Sequence, residues 1–268
     1  MPLPHKSSHR LHHFDLTGYK ALVITTSQAS LDKVDGNTGK VLKKGKQTGV
    51  YASELTEAYY AFVDSKMTVD VASIQGGKIP IEKLSLRPFV RTRDDERFLK
   101  DEVLQQKVDQ SLPIQGIDFT HYDIVFLSGG WGAAYDFAQS QVLAEKIGGF
   151  YANKGVIGAV CHGPLGLTSA LKPDGTSLVE GVQVTGVTNK QIRQLGVGET
   201  PKHPETELRN SGGIYSSKSG LIDIFQNHVV VDQAHQIVTG QNQKAAVQTA
   251  EEAMRLLIKK KNLYETNT

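Results

Sequence analysis

Short apolar runs alternate with helical stretches along most of this chain, and that alternation limits the fold more than any other feature. The runs are KALVITT (20–26), MTVDVASI (67–74), YDIVFLS (122–128), GVIGAV (155–160) and VQVTGVT (182–188). Each is short, mostly apolar and carries β-branched residues, as suits a strand covered on both faces. Between them, SELTEAYYAFVDS (53–65) sets Leu55, Ala58, Tyr59 and Phe62 at helical spacing. Further helices are expected near 94–108, over 134–152, from Gly163 or Pro164, and over 204–212, where Gly212 closes the last of these. Strand following helix in this way predicts an α/β fold, a three-layer sandwich with a mainly parallel central sheet. HVVVD (228–232) and QIVTG (236–240) are close enough to form a hairpin. A final helix from Gln243 to about Lys261 gathers Ala246, Val247, Ala250, Met254, Leu257 and Ile258 on one face. With 268 residues, 39% of them hydrophobic, the chain can fill one core. The expected organisation is a tail over 1–17 and a single domain over 18–268, with insertions near 75–118 and 189–227.

Charge and composition remove several functions. Thirty basic residues against 28 acidic ones give a net charge of +2 and no general reason to expect a nucleic acid partner. The basic stretch Lys40–Lys46 contains Gly45 and reads as an exposed turn. No apolar run approaches the ~18 residues of a membrane span, and no signal segment opens the chain, so a cytoplasmic location is expected. His5, His9, His12 and His13 crowd the first residues and read as a solvated tail. The single cysteine, Cys161, excludes an internal disulfide and any multi-cysteine metal site. It is either buried filler or the reactive group.

Its surroundings favour the second meaning. In AVCHGP (159–164) the cysteine ends an apolar strand and precedes a proline that suits a first helical turn. A nucleophile on such a sharp turn needs small residues two before and two after it, and Ala159 and Gly163 are both small. The N–H groups of a following helix are expected to favour thiolate and lower the thiol pKa. His162 is adjacent and can serve as base or simply pack. In SGGWGAAYDF (128–137), Gly129, Gly130 and Gly132 let the backbone turn sharply and aim N–H groups inward, as an oxyanion hole requires. No Gly-Lys-Ser/Thr follows, so this is not a phosphate-binding loop.

Together with GVYASEL (49–55) and VTGQN (238–242), these motifs resemble the ThiJ/PfpI superfamily, a flavodoxin-like group related to class I glutamine amidotransferases. The resemblance runs from about residue 18 to 262 and is nearest to the larger heat-shock chaperone and glutathione-independent glyoxalase branch. It implies that Cys161 is the nucleophile, that His162 is the histidine following it, and that Glu54 is the buried acid bonded to the thiol. It makes the N–H groups of Gly130 and His162 the oxyanion donors, with Gly129 and Trp131 shaping the pocket. A carboxylate beside a thiolate is repulsive, so a useful Glu54 must be buried enough to hold its proton near neutral pH. Two departures stand out. Trp131 occupies a position where much of the branch has histidine. The stretch TNKQIRQ (188–194) has no acid where many members carry a third one; Glu199, Glu205 or Glu207 would have to reach His162 from the second insertion.

The resemblance implies a cysteine-dependent, glutathione-independent glyoxalase that converts 2-oxoaldehydes to 2-hydroxy acids with no cofactor or metal. Its partners would be a small carbonyl substrate and a second copy of the chain. The alternatives are a stress chaperone or thiol redox sensor, and an amidase- or peptidase-like cysteine hydrolase. The sequence shows no exposed apolar patch to support a chaperone, and the missing acid counts against a hydrolase.

Overall fold

The computed structural model describes residues 14–265 apart from 36, 37 and 39, and side chains as far as Asn262. The histidines at 5, 9, 12 and 13 lie outside the described residues. Its strands are β1 (Lys20–Thr25), β2 (Lys33–Val34), β3 (Val41–Lys43), β4 (Thr68–Ser73), β5 (Leu112–Pro113) and β6 (Ile124–Leu127). They continue with β7 (Val156–Val160), β8 (Gln183–Val184), β9 (Ile214–Tyr215), β10 (Val229–Asp232) and β11 (Ile237–Gly240). Seven form one sheet in the order β10-β11-β7-β6-β1-β4-β5, parallel except for the β10–β11 hairpin at one edge.

The period-two geometry of a strand divides each apolar run between two cores. Ala21 and Val23 of β1, Phe126 of β6, and Val156 and Val160 of β7 face one layer. There they meet α1 (Ala52–Asp64) through Leu55, Tyr59 and Phe62, together with Met254 and Leu257 of the C-terminal helix. Leu22 and Ile24, Leu127, and Ile157 and Ala159 face the opposite layer, with Leu143, Ile147 and Phe150 of a helix beneath the sheet. Both faces are therefore covered, as the continuous apolar strands require.

The helical expectations hold in position more than in length. The stretch near 94–108 is two helices, α2 (Arg93–Phe98) and α3 (Glu102–Asp109), because Asp101 caps the second through the N–H groups of Val103 and Leu104. The stretch over 134–152 is likewise α4 (Ala133–Asp136) and α5 (Gln141–Ala152), separated where Ser140 accepts from Leu143 N–H. After the cysteine comes only a five-residue 3₁₀ turn, Gly163–Leu167. The run 182–188 is not a strand of the main sheet. Only β8 forms there, in a separate two-stranded parallel pair with β9, while Thr188 turns the chain by capping α6 (Asn189–Gln194). α7 (Pro204–Asn210) follows, and α8 (Ala246–Glu265) closes the chain behind a short 3₁₀ turn.

Leu16 is buried and its N–H donates to Ser65 O, so packed chain begins before residue 18. The Lys40–Lys46 segment is exposed as expected, but it includes β3, paired antiparallel with β2. Leu221, Ile222 and Phe225 stand exposed around the 3₁₀ turn Asp223–Phe225, an apolar surface the sequence reading does not locate.

Connections run outward from β1 to β4 on one side and to β6 on the other. The crevice at the carboxyl ends of β1, β6 and β7 is thus the topological switch point, where open sheets bind ligands. Ser128–Gly130 and Cys161 lie there.

Candidate active site

Cys161 continues the β7 ladder by donating its N–H to Gly240 O, then takes a φ of +62°. A non-glycine residue in this left-handed region costs of order 1 kcal/mol or more, and surrounding structure must hold it there. Close packing does so. A Cβ on Gly163 would lie 2.1 Å from Leu127 O, so only glycine lets the chain turn under β6. A Cβ on Gly129 would fall 2.5 Å from His162 N and 2.8 Å from Glu54 Oε2. The glycine turn and the cysteine elbow are therefore pressed against one another, with Glu54 between them.

Glu54 sits in the first turn of α1 and is fully buried. Gly129 N–H donates to its Oε2 at 2.8 Å, and Ser128 Oγ donates to its backbone carbonyl at 3.0 Å. Gly129 is thus not an oxyanion donor, because its N–H is already engaged in holding the acid. The other oxygen, Oε1, is buried with no aligned partner. The carboxyl nonetheless interacts directly with the Cys161 thiol, which pulls the acid down and pushes the thiol up. Burial dominates for both groups. It raises Glu54 to about 8, against the pull of the thiol and the Gly129 N–H, and raises the thiol well above its ordinary value. The expected lowering of the thiol pKa is therefore overturned. A five-residue 3₁₀ turn supplies little dipole, and desolvation next to a carboxyl outweighs the N–H groups of Gly130 and His162, which do point to the sulfur and favour its anion.

The His162 ring also meets the sulfur, with Nδ1 3.4 Å from Cys161 Sγ. It is wholly buried, and desolvation, helped by His203, depresses it to about 3. Its other nitrogen, Nε2, has no hydrogen-bond partner. The sulfur thus contacts an acid and a base that both stay neutral at pH 7.

A sequence model described as the DJ-1/PfpI family matches residues 46–256. The chain belongs to this family. Over 216 residues it is 30% identical to glutathione-independent glyoxalase HSP31 of Saccharomyces cerevisiae, covering 77% of this chain and 88% of the relative. Glyoxalase 3 of Candida albicans is 30% identical over 220 residues, covering 78% and 90%. The crystal structure of glyoxalase III from C. albicans superposes with a TM-score of 0.77 at 25% identity, over 89% of this chain and 97% of that one. The Rapid Encystment Protein 24 kDa of Francisella tularensis gives the same TM-score at 30% identity, over 89% and 99%.

Within this DJ-1/PfpI site the three acids considered for a triad all point elsewhere. Glu199 pairs with Lys33 at 3.4 Å on the surface. Glu205 accepts from Asn189 N–H and bonds Arg209. Glu207 pairs with Lys202 at 3.2 Å. None bonds His162, so among the described residues no Cys–His–acid chain forms. Trp131 packs edge-on against the His162 ring, centroids 4.9 Å apart. It also walls a cleft of about 740 Å³ with Leu31, Leu84, Tyr135, Val197 and Thr200. Cys161, only 7% exposed, is not among these walls, and Trp131 touches both the cleft and the His162 ring.

Two neighbours escape the sequence reading. Tyr51 occupies the N-cap position of α1 without a side-chain cap bond, and burial, with Glu54 and Asp95 nearby, holds its phenol protonated. Its place in GVYASEL was the available signal. His203, which interacts with His162, lies 41 positions further along the chain, and no local pattern links the two. No group of three His, Cys, Asp or Glu side chains among the described residues is placed to hold a metal. Nor is any helix among them long and apolar enough to cross a membrane.

Proposed function

We propose that this protein is a glutathione-independent glyoxalase that converts methylglyoxal-like 2-oxoaldehydes to 2-hydroxy acids. The observation that carries the reading is Glu54, a buried carboxyl with a pKa of about 8 lying against the only thiol. A base of this strength at neutral pH suits proton abstraction from carbon next to a carbonyl. Cys161 Sγ adds to the aldehyde carbon; the S–C bond forms and the thiol proton ends on the new hydroxyl. The N–H groups of Gly130 and His162 hold the oxygen as charge develops on it. Glu54, as carboxylate, removes the proton from the former aldehyde carbon to give an enediol, and a proton returned to the neighbouring carbon leaves a thioester with a 2-hydroxyl. Water then cleaves the thioester, releasing the acid and the thiol, with no external oxidant or reductant.

The same geometry disfavours the alternatives. A hydrolase needs His162 charged and oriented by an acid, and a redox sensor needs a low-pKa thiol. The family resemblance adds a cytoplasmic homodimer, which cell fractionation and sedimentation test. The direct experiment is lactate production from methylglyoxal without added thiol, with Cys161→Ala and Glu54→Gln expected to abolish it. A wild-type protein inactive on a panel of 2-oxoaldehydes would overturn the reading.

A further inference from the structure

A second cavity, of about 510 Å³, lies at the opposite end of the sheet from Cys161. Its walls come from the carboxyl end of α5, the turn Gln233–Gln236 between β10 and β11, and α8. Lys154 and Gln236 lie just before β7 and β11, the two paired strands whose other ends lead to Cys161 and Gly240. The charged walls are basic, and no carboxylate lines the cavity among the described residues. Lys259 Nζ reaches from α8 to Gln233 Oε1 at 2.6 Å, and Lys260 Nζ reaches to Lys154 O. Both acceptors are neutral, so they fix the ammoniums without cancelling their charge. Burial and the adjacent charges of Lys261 and Lys154 hold Lys260 below its ordinary pKa, against the pull of Asp123. Asp174 and Asp232 act on Tyr151 from the margin. These three acids already accept N–H groups elsewhere, from Lys20, Thr176, and Gln183 with His235. Nor are the lysines needed to finish α5. The N–H groups of Asn153, Lys154 and Gly155 already take the carbonyls of Gly149, Tyr151 and Phe150.

Other features shape the cavity beyond its charge. Tyr151, Pro173 and Leu256 supply apolar wall. Gln236 Nε2 donates to Gln233 O at 2.6 Å, which leaves Gln236 Oε1 buried with no donor. Lys154 and Gln236 both hold a left-handed backbone, with φ of +58° and +57°. Among the described residues only two other non-glycine residues do so, and one of them is Cys161. Strained positions of this kind gather at ligand clamps as well as at active sites. We propose that this cavity binds a small phosphate ester with a hydroxylated body, of the size of a nucleoside monophosphate. The phosphate takes N–H groups from Lys154, Lys259 and Lys260. An ammonium has three donors, so the single bonds of Lys259 and Lys260 leave two on each. A hydroxyl of the body donates to Gln236 Oε1, and its less polar face lies on Tyr151, Pro173 and Leu256. A cavity of this volume, mainly apolar with a few convergent polar groups, suits such a ligand. The site shares no residue with the Cys161 centre and does not depend on the glyoxalase reading.

The test is isothermal titration calorimetry of the full-length protein at pH 7. Adenosine 5′-monophosphate, ribose 5-phosphate, inorganic phosphate and adenosine are the separate titrants. At least one ester should bind a single saturable site with Kd below about 1 mM, more tightly than inorganic phosphate or adenosine. Lys154→Gln and Lys259→Gln alter exposed side chains and so leave the fold intact, and each should weaken that binding about tenfold. Lys100→Gln, an exposed lysine outside the cavity, should leave it within about twofold. Three results overturn the proposal. They are no saturable binding of either ester, esters held no more tightly than inorganic phosphate or adenosine, and binding that Lys154→Gln and Lys259→Gln affect no more than Lys100→Gln does.

Discussion

The two flanks of Cys161 are built from opposite materials and reach the same electrical state. On one side Glu54 is an acid whose Oε2 is fastened by Gly129 N–H, and burial lifts it to about 8. On the other, His162 is a base whose outer nitrogen has no partner, and burial drops it to about 3. At neutral pH neither carries much charge. The difference lies in which flank can exchange a proton in the working range. Glu54 titrates near it and His162 far below it, which assigns proton transfer to the carboxyl and leaves orientation to the ring.

The sharpest way to break this comparison is Glu54→Gln. It keeps an acceptor for Gly129 N–H but removes the titrating proton, and kcat should fall by about 10³-fold or more while His162→Gln costs only about 10- to 100-fold. Equal losses in steady-state lactate assays would mean that the flanks share the work.

The stability of the two variants should then differ in opposite pH ranges. Glu54 has its folded pKa raised from 4.5 to about 8. Its contribution to stability is complete below pH 4.5 and is lost as pH rises to about 8, a change of about 5 kcal/mol. Glu54→Gln should therefore be more stable than wild type at pH 8 in urea unfolding, and the difference should vanish by pH 4.5. His162 has its folded pKa depressed from 6.5 to about 3. Its contribution is present above pH 6.5 and lost as pH falls to about 3, so His162→Gln should gain relative stability only on the acid side.

Activity should follow the carboxyl. Because Glu54 and the thiol are coupled, the first ionisation belongs to the pair. kcat/KM should rise about tenfold per pH unit below about 8 and then level, and Glu54→Asp should shift the break. A flat profile between pH 6 and 8 would remove Glu54 from the titration.

A smaller effect is expected at Trp131, which lines the cleft and packs on the His162 ring. Trp131→Ala should widen access to the sulfur, raising the rate of alkylation by bulky maleimides severalfold while changing methylglyoxal turnover less. Smallest of all, Glu199→Gln, Glu205→Gln and Glu207→Gln should each leave kcat within about twofold, since their carboxylates engage Lys33, Asn189 with Arg209, and Lys202.

Much of the architecture was legible in the chain because the signals are local. The buried strands announce themselves as runs such as KALVITT and GVIGAV, and the elbow as a cysteine with small residues two away on either side. Capping decided what periodicity could not. Asp101 and Ser140 each divide an apparently continuous helix, and Thr188 ends the run 182–188 before it can join the main sheet. At the site, the resemblance carried Glu54, His162 and Gly130, whereas the engagement of Gly129 by Glu54 depends on two segments 75 residues apart meeting at 2.8 Å.

The sequence by itself determined the layered sheet, the presence of one thiol on a strand-to-helix turn, and the absence of an acid in TNKQIRQ. Those follow from residue type and spacing, which act over a few residues. Only the tertiary structure decided the electrical state of that thiol. Its pKa is set by desolvation and by groups brought in from residues 54 and 130, and these quantities exist only once the core has closed around the sulfur.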